Sequence, residues 1–287
     1  MTAAVLLAAV LLPAPARTES VETIVAKHLE ASGGVARLKA LKSVRMKGEM
    51  TIKQGDSPLN GTYVLEMKRP HFYRMDFTLI GLTAVQAWDG KAGWTITPFS
   101  GDPNAHPMSP EEAADMAPRV EFDTLLLDYK ARGTKVVLAG TEDVGGAPAY
   151  KLQVTPKIGS ERFVFLDRKT YLEVKREETR DGGKDVIEGL VGDYRKVGGL
   201  TLPHSFESGP KGAEKKVTLK ISAIELNPVV DEARFKRPEG NLPVAPPIPP
   251  GALPGAAPPS VPGVPPSLPP IPGTLPSPRP SPGPAGP

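Results

Sequence analysis

Val44-Arg45-Met46-Lys47-Gly48-Glu49-Met50-Thr51-Ile52 alternates apolar or small residues with charged and polar ones along its whole length. A period of two sends side chains to opposite faces of a strand, so this stretch predicts a half-buried antiparallel strand. The alternation returns at Tyr63, Leu65 and Met67, Arg69-Pro70 stops it, and 72–79 forms the next strand. Segments 83–88 and 93–97 flank Asp89-Gly90, a dipeptide that tolerates the positive φ of a tight hairpin. Strand patterns resume at 135–141, 149–155, 162–166, 171–178, 185–194, 201–207 and 216–226. Between them lie Gly145-Gly146, 157–160, 167–169, Asp181-Gly182-Gly183 and Gly198-Gly199, as 54–60 lies between the first two strands. A single sheet of about 11–12 strands must curl or close.

Upstream, 20–29 predicts a short amphipathic helix with Val21, Ile24, Val25 and Leu29 on one stripe, ended by Gly33-Gly34. A second helical stretch follows, with Val35, Leu38 and Leu41 directed inward. The strand pattern breaks between Pro98 and Arg132. There Ser109-Pro110-Glu111-Glu112 has the marks of a helix start: a capping Ser, Pro at the first helical position and Glu closing a capping box. Ala113, Ala114, Met116 and Ala117 follow, and Pro118 ends the helix. Leu125-Leu126-Leu127 and Tyr129 form a more apolar segment that fits a buried helix or a strand.

Composition separates three regions. Residues 1–16 are nearly all apolar, with Ala14-Pro15-Ala16 offering small residues for cleavage before Arg17; this reads as a signal peptide, although no Lys or Arg precedes the apolar run. Residues 17–239 are the folded body. Residues 240–287 are a Pro-rich tail expected to be disordered: 20 of the 47 residues from Asn241 onward are Pro, and Arg279 is the only charge. Exported this way, the protein is expected in the periplasm. Having no Cys, it has no N-terminal attachment point for lipid, no disulfide and no thiol chemistry.

A net charge of +3 from 35 basic and 32 acidic residues gives no basic stripe for nucleic acid. No metalloprotease, nucleophile-elbow, phosphate-loop or dinucleotide motif is present. His28, His71, His106 and His204 lack metal-ligand spacing. Glu111 and Glu112 fit a helix start, and Asp123 and Asp128 fit solvent-facing or capping positions. The expectation is a binding protein: not an enzyme, with no cofactor and no metal.

Three linked stretches point further: Lys68-Arg-Pro-His-Phe-Tyr-Arg74, Trp88-Asp-Gly-Lys-Ala-Gly-Trp94, and Pro98-Phe99. Their order and spacing resemble the K-R-P-x-x-x-R strand pair, D-G-K-x-x-W hairpin and P-F of LolA-type outer-membrane lipoprotein-sorting proteins. Asp193-Tyr194-Arg195, Gly198-Gly199-Leu200 and Leu202-Pro203 are similar to larger LolA-like relatives. The resemblance covers most of 20–238 and omits the tail. It implies a mainly β fold with short α: an incomplete, half-open antiparallel β-barrel with an N-terminal helix and short lid helices over an apolar cavity. The insertion from Ser109 onward sits where lid helices are expected. The resemblance also implies a role for Arg74 in lid control and cargo release.

Candidate lipid-contacting or lid residues are therefore Arg74, Phe72, Met75, Phe77, Trp88, Trp94, Met116, Leu125, Leu126 and Leu127. Phe72, Arg74 and Asp76 share one strand face and Tyr73, Met75 and Phe77 the other; alternation does not fix which is concave. Trp88 and Trp94 fit sheet core as well as ligand contact, and Met116 with 125–127 fit plain core as well as lid. The implied function is a periplasmic carrier that binds acyl chains of lipoproteins or lipids and shuttles them toward the outer membrane, exchanging with membrane-bound donor and acceptor proteins. The alternative is an envelope-stress sensing or regulatory module on the same fold. The tail would be a spacer, or a ligand for a partner domain.

Overall fold

The computed structural model describes residues 19–53, 58–116, 120–157, 160–180 and 185–239. The expected leader, Pro-rich tail, Ala117-Pro118 helix end and 181–183 turn lie outside the described residues.

Two helices open the body, α1 (Val21–Ala31) and α2 (Val35–Ala40). Ser20 caps α1 by accepting the Thr23 N–H at 3.2 Å, and Ile24, Val25, His28 and Leu29 make up its buried stripe. In α2 only Leu38 is buried; Val35 is 39% exposed, because six residues expose most of the helix surface to water.

Thirteen strands follow: β1 (Ser43–Lys53), β2 (Leu59–Lys68), β3 (Phe72–Leu79), β4 (Leu82–Asp89), β5 (Gly93–Thr97), β6 (Asp102–Pro107), β7 (Lys135–Val144), β8 (Ala147–Thr155), β9 (Arg162–Asp167), β10 (Glu173–Arg180), β11 (Asp185–Val197), β12 (Leu200–Pro210) and β13 (Lys216–Leu226). The strand beyond the expected 11–12 is β6, which carries Pro103 and Pro107 and is an edge strand, where missing N–H groups are tolerated.

The order across the sheet is β6-β5-β4-β3-β2-β1-β13-β12-β11-β10-β9-β8-β7, all pairs antiparallel. The chain starts in the middle, meanders out to the edge at β6, crosses to the opposite edge at β7, and meanders back until β13 closes on β1. The sheet does not close into a barrel, since β6 and β7 are its two free edges. Among the described residues one long connection, 108–134, runs from the β6 edge to the β7 edge.

It crosses the inner face. Helix α3 (Pro110–Met116) begins with the expected box, Ser109 N–H to Glu112 Oε2 at 2.8 Å and Glu112 N–H to Ser109 Oγ at 3.2 Å. Met116 and Val120 then pack with Tyr73, Met75 and Phe77. Leu126 and Leu127 pack with Ile24, Val25 and Leu29 of α1 against β8 and β9. Leu125–Leu127 form turns, neither helix nor strand.

A third apolar group, Val85, Ala87, Trp94 and Ile96, lies on the outer face. The 3-10 turn Glu232–Phe235 covers it: Trp94 Nε1 donates to the Phe235 carbonyl at 2.7 Å, and the Phe72 and Phe235 rings lie 5.2 Å apart. At the β1–β13 seam the register slips between Lys47 and Gly48, leaving Ser222 as the extra residue. A Cβ on Gly48 would sit 2.0 Å from the Lys220 carbonyl oxygen, so only Gly permits this close approach.

Candidate functional site

Alternation on the central strands delivers one row of side chains each to the inner face: Met46 from β1, Tyr63, Leu65 and Met67 from β2, Tyr73 from β3, Val191 from β11, Phe206 from β12, Leu219 and Ile221 from β13; Tyr194, three residues after Val191, joins them past the left-handed Asp193 (φ 51°). These do not meet across the face. They line a cavity of about 270 Å³, closed on other sides by His28, Ser32 and Leu38 of the helical layer and by residues 121–126 of the crossing segment. Tyr73 and the two Met bring large or flexible apolar surface.

The crossing segment is anchored at both ends by apolar side chains, Met116 and Val120 at one and Leu126 and Leu127 at the other. Each such burial is worth about 1.5–3 kcal/mol. Its middle is held by charge. Arg69, at the turn after β2, donates from Nη1 and Nη2 to the two Asp123 oxygens at 2.7 and 2.5 Å, and from Nε to the Leu41 carbonyl at 2.7 Å. Its guanidinium also lies 4.7 Å over the Phe122 ring. Arg132 pairs with Glu121 and donates to the Thr124 carbonyl at 3.1 Å. Lys39 meets Asp128 at 2.6 Å and Lys130 meets Glu22 at 3.1 Å, tying the far end to α1 and α2. Asp123 is half-buried in its pair with Arg69, which corrects the solvent-facing or capping reading there, while Asp128 is solvent-facing as expected and meets Lys39; the partners lie 54 and 89 positions away, beyond the reach of local pattern.

The cavity has one charged wall. Glu173 and Arg176 of β10 form a pair at 2.5 Å, Tyr194 donates to the Glu173 carbonyl at 2.7 Å, and Arg162 of β9 lines the same wall. His28 Nδ1 sits 2.8 Å from the Tyr171 carbonyl, so this nitrogen carries the hydrogen; burial pushes the imidazole below its ordinary pKa.

The candidate residues divide by face. Leu125 and Leu126 line the cavity. Met75, Phe77 and Met116 are buried on the inner face in the cluster beside it, with Trp88 packed against them, and Leu127 is buried under α1. Phe72, Arg74 and Trp94 are on the outer face. Arg74 donates to Asp76 Oδ1 and to the Arg234 carbonyl, both at 2.7 Å, and lies 5.5 Å over the Trp94 ring. Arg74 thus clamps the C-terminal 3-10 turn, whose Arg234 joins Arg45 on the buried Glu66 carboxylate at 2.7 Å each. Sequence reasoning missed the latch Arg69–Asp123 and the charged wall. The apolar rows at Met46 and Leu65 were visible as alternation, without a sign that they bound a space.

An open antiparallel sheet carries a helix and a crossing segment over one apolar face, around a cavity. That fold is shared with solved structures of LolA superfamily proteins. A LolA superfamily protein from Nitrosomonas europaea matches with TM-score 0.54 at 11% identity, over 76% of this chain and 98% of that chain. A domain described as an outer membrane lipoprotein-sorting protein, from Vibrio parahaemolyticus, matches with TM-score 0.53 at 13% identity, over 74% and 94%. A DUF1329 family protein from Desulfovibrio piger matches with TM-score 0.55 at 13% identity, over 76% and 98%. At such identities the likeness is one of fold. No family model matches the sequence, and no curated protein does. Among the described residues no helix is long and apolar enough to cross a membrane.

Proposed function

We propose that the protein is a non-catalytic periplasmic carrier that shelters acyl chains of lipoproteins or lipids and passes them toward the outer membrane. The observation that carries this reading is an apolar space of about 270 Å³ beneath a segment whose middle is held by ion pairs. The volume lies just below the roughly 300–1,000 Å³ usual for small-molecule sites. Cargo larger than this space requires the roof to move.

Energetics favour a movable roof. Burying an acyl chain is worth about 0.8 kcal/mol per CH₂. Two or three long chains would exceed the ceiling of about 18–21 kcal/mol for non-covalent affinity. A carrier competes with a bilayer that offers similar burial, so the free energy needed to displace the roof balances uptake against release. Ion pairs suit that role because they are directional and break without exposing much apolar surface. Donor and acceptor proteins in the membranes would supply and collect the cargo. The test is extraction of protein isolated from its native envelope followed by mass spectrometry: co-purifying lipid or lipopeptide supports the carrier, and repeatedly lipid-free protein that takes up no acylated probe overturns it.

A further inference from the structure

We infer that the cavity recognises cargo with an uncharged head that carries an O–H or N–H donor, received by His28 Nε2 with Ser32 and Thr201 beside it. This rests on the carrier reading and narrows its cargo.

The corner is built where the end of α1 meets the start of β12. His28 is buried, 7% exposed, and lines the cavity. Its Nδ1 lies 2.8 Å from the carbonyl of Tyr171, a residue outside the cavity lining. A carbonyl cannot donate, so Nδ1 holds the hydrogen and Nε2 of the neutral ring is left as an acceptor. Burial favours that neutral ring, and the two charges that reach it, Glu173 and Arg176, oppose each other. Nε2 has no hydrogen-bond partner among the described residues. Ser32 stands one helical turn further on. Its hydroxyl hydrogen is spent on the His28 carbonyl at 2.8 Å, which leaves its oxygen as a second acceptor. The Thr201 N–H donates to the Ser32 carbonyl at 3.0 Å, which sets Thr201 beside them. All three residues line the cavity.

The charges around the cavity select against an ionic head. Each charged residue that lines it already has an opposite partner. Glu173 meets Arg176 at 2.5 Å and Glu178 meets Arg162 at 3.8 Å. Glu177 is held by Lys175 at 2.9 Å and Lys211 at 2.8 Å. On the roof, Glu121 belongs to Arg132 and Asp123 to Arg69. A charged head would lose its hydration and find no unmet charge in return. Bare hydrocarbon pressed on Nε2 would strand an acceptor. An O–H or N–H restores that bond, while the chain follows the apolar rows of β1, β2 and β13. Ethers and esters carry acceptors only, so the donor is what this corner distinguishes.

The test is titration of the full chain, delipidated on a hydrophobic matrix, at about pH 8, where imidazole is neutral. The probes share one hydrocarbon chain: oleyl alcohol, oleamide, oleyl methyl ether and oleate. The alcohol, the amide or both are expected to bind roughly three- to tenfold tighter than the ether, the worth of one neutral hydrogen bond, and tighter than oleate. Preference for the alcohol alone identifies a hydroxyl source, preference for oleamide alone an amide source, and preference for both the shared chemistry. In protein labelled with ¹⁵N-histidine, the preferred probe should shift the His28 Nε2 resonance and the ether should leave it in place. His28→Phe should shrink the preference to less than about twofold. If His28→Phe fails to fold by circular dichroism, the nitrogen resonance carries the comparison. Ether bound as tightly as both donor probes, oleate bound tighter than both, a resonance unmoved by the preferred probe, or a preference kept by folded His28→Phe overturns the inference and leaves the carrier reading standing. No binding of any of the four overturns both.

Discussion

Arg69 and Asp123 stand 54 positions apart in the chain and meet side on, Nη1 to Oδ2 at 2.7 Å and Nη2 to Oδ1 at 2.5 Å. Arg69 sits at the turn between β2 and β3, and Asp123 in the middle of the segment that roofs the cavity. The Arg69 Nε bond to the Leu41 carbonyl and its seat over Phe122 fix the guanidinium plane, so the closed roof has one defined docking geometry.

Asp123→Asn or Arg69→Gln should therefore loosen the roof and leave the sheet intact. A charge-assisted pair of this burial is worth about 1–3 kcal/mol, so amide exchange across 120–134 should accelerate roughly 5- to 150-fold. Hydrogen exchange read by mass spectrometry checks this. Unchanged protection in 120–134 would show that the apolar anchors alone hold the segment.

Arg74 offers a discriminating variant. The sequence resemblance gives it a part in cargo release, and its geometry gives it the outer clamp on Arg234 and Trp94. If the clamp is its role, Arg74→Leu lowers stability by about 1–3 kcal/mol and leaves acyl transfer to acceptor vesicles within about twofold. Transfer slowed well beyond that assigns it to release.

Val191 lines the cavity and is 7% exposed. Val191→Trp should fill the space, abolish uptake of a fluorescent acyl probe, and cost about 1–3 kcal/mol through overpacking. Normal uptake by a folded variant would place the acyl site elsewhere.

Acid should destabilise the fold in two stages. Burial holds the His28 imidazole below its ordinary pKa of 6.5, so the unfolded chain takes up a proton that the folded chain refuses. Its contribution is full above that value and declines as pH falls through it. Glu142 is the opposite chemistry with the same sign: Lys175 and Lys151 hold its carboxyl down to about 2 from 4.5, so its contribution is present above 4.5 and lost as pH falls toward 2. Melting temperature against pH should show a decline from near 6.5 and a steeper one below 4.5, and His28→Gln should flatten the first.

The legible parts of this molecule are those governed by near neighbours in sequence. The alternation from Val44 to Ile52, the Asp89-Gly90 hairpin and the Ser109–Glu112 box each declare themselves within a few residues, and each is in the structure. Strand β6 escaped because Pro103 and Pro107 read as loop until an edge position explains them. The latch, the charged wall and the face on which Arg74 lies escaped for another reason. Tyr73 and Arg74 alternate either way; only the crossing of 108–134 over Tyr73, Met75 and Phe77 makes theirs the inner face. Arg162 and Arg176 become neighbours only through the β9–β10 register.

The central claim is that hydrocarbon lies inside, between the central strands and the roof. A fatty acid carrying a photoreactive diazirine on its chain, bound to the full protein, irradiated and mapped by peptide mass spectrometry, tests it most directly. The account predicts label on peptides bearing Tyr63 to Met67, Phe122 to Leu126 and Leu219 to Ile221. Label confined to the outer face around Phe72, Trp94 and Phe235, or no label above that of an unfolded control, would contradict it.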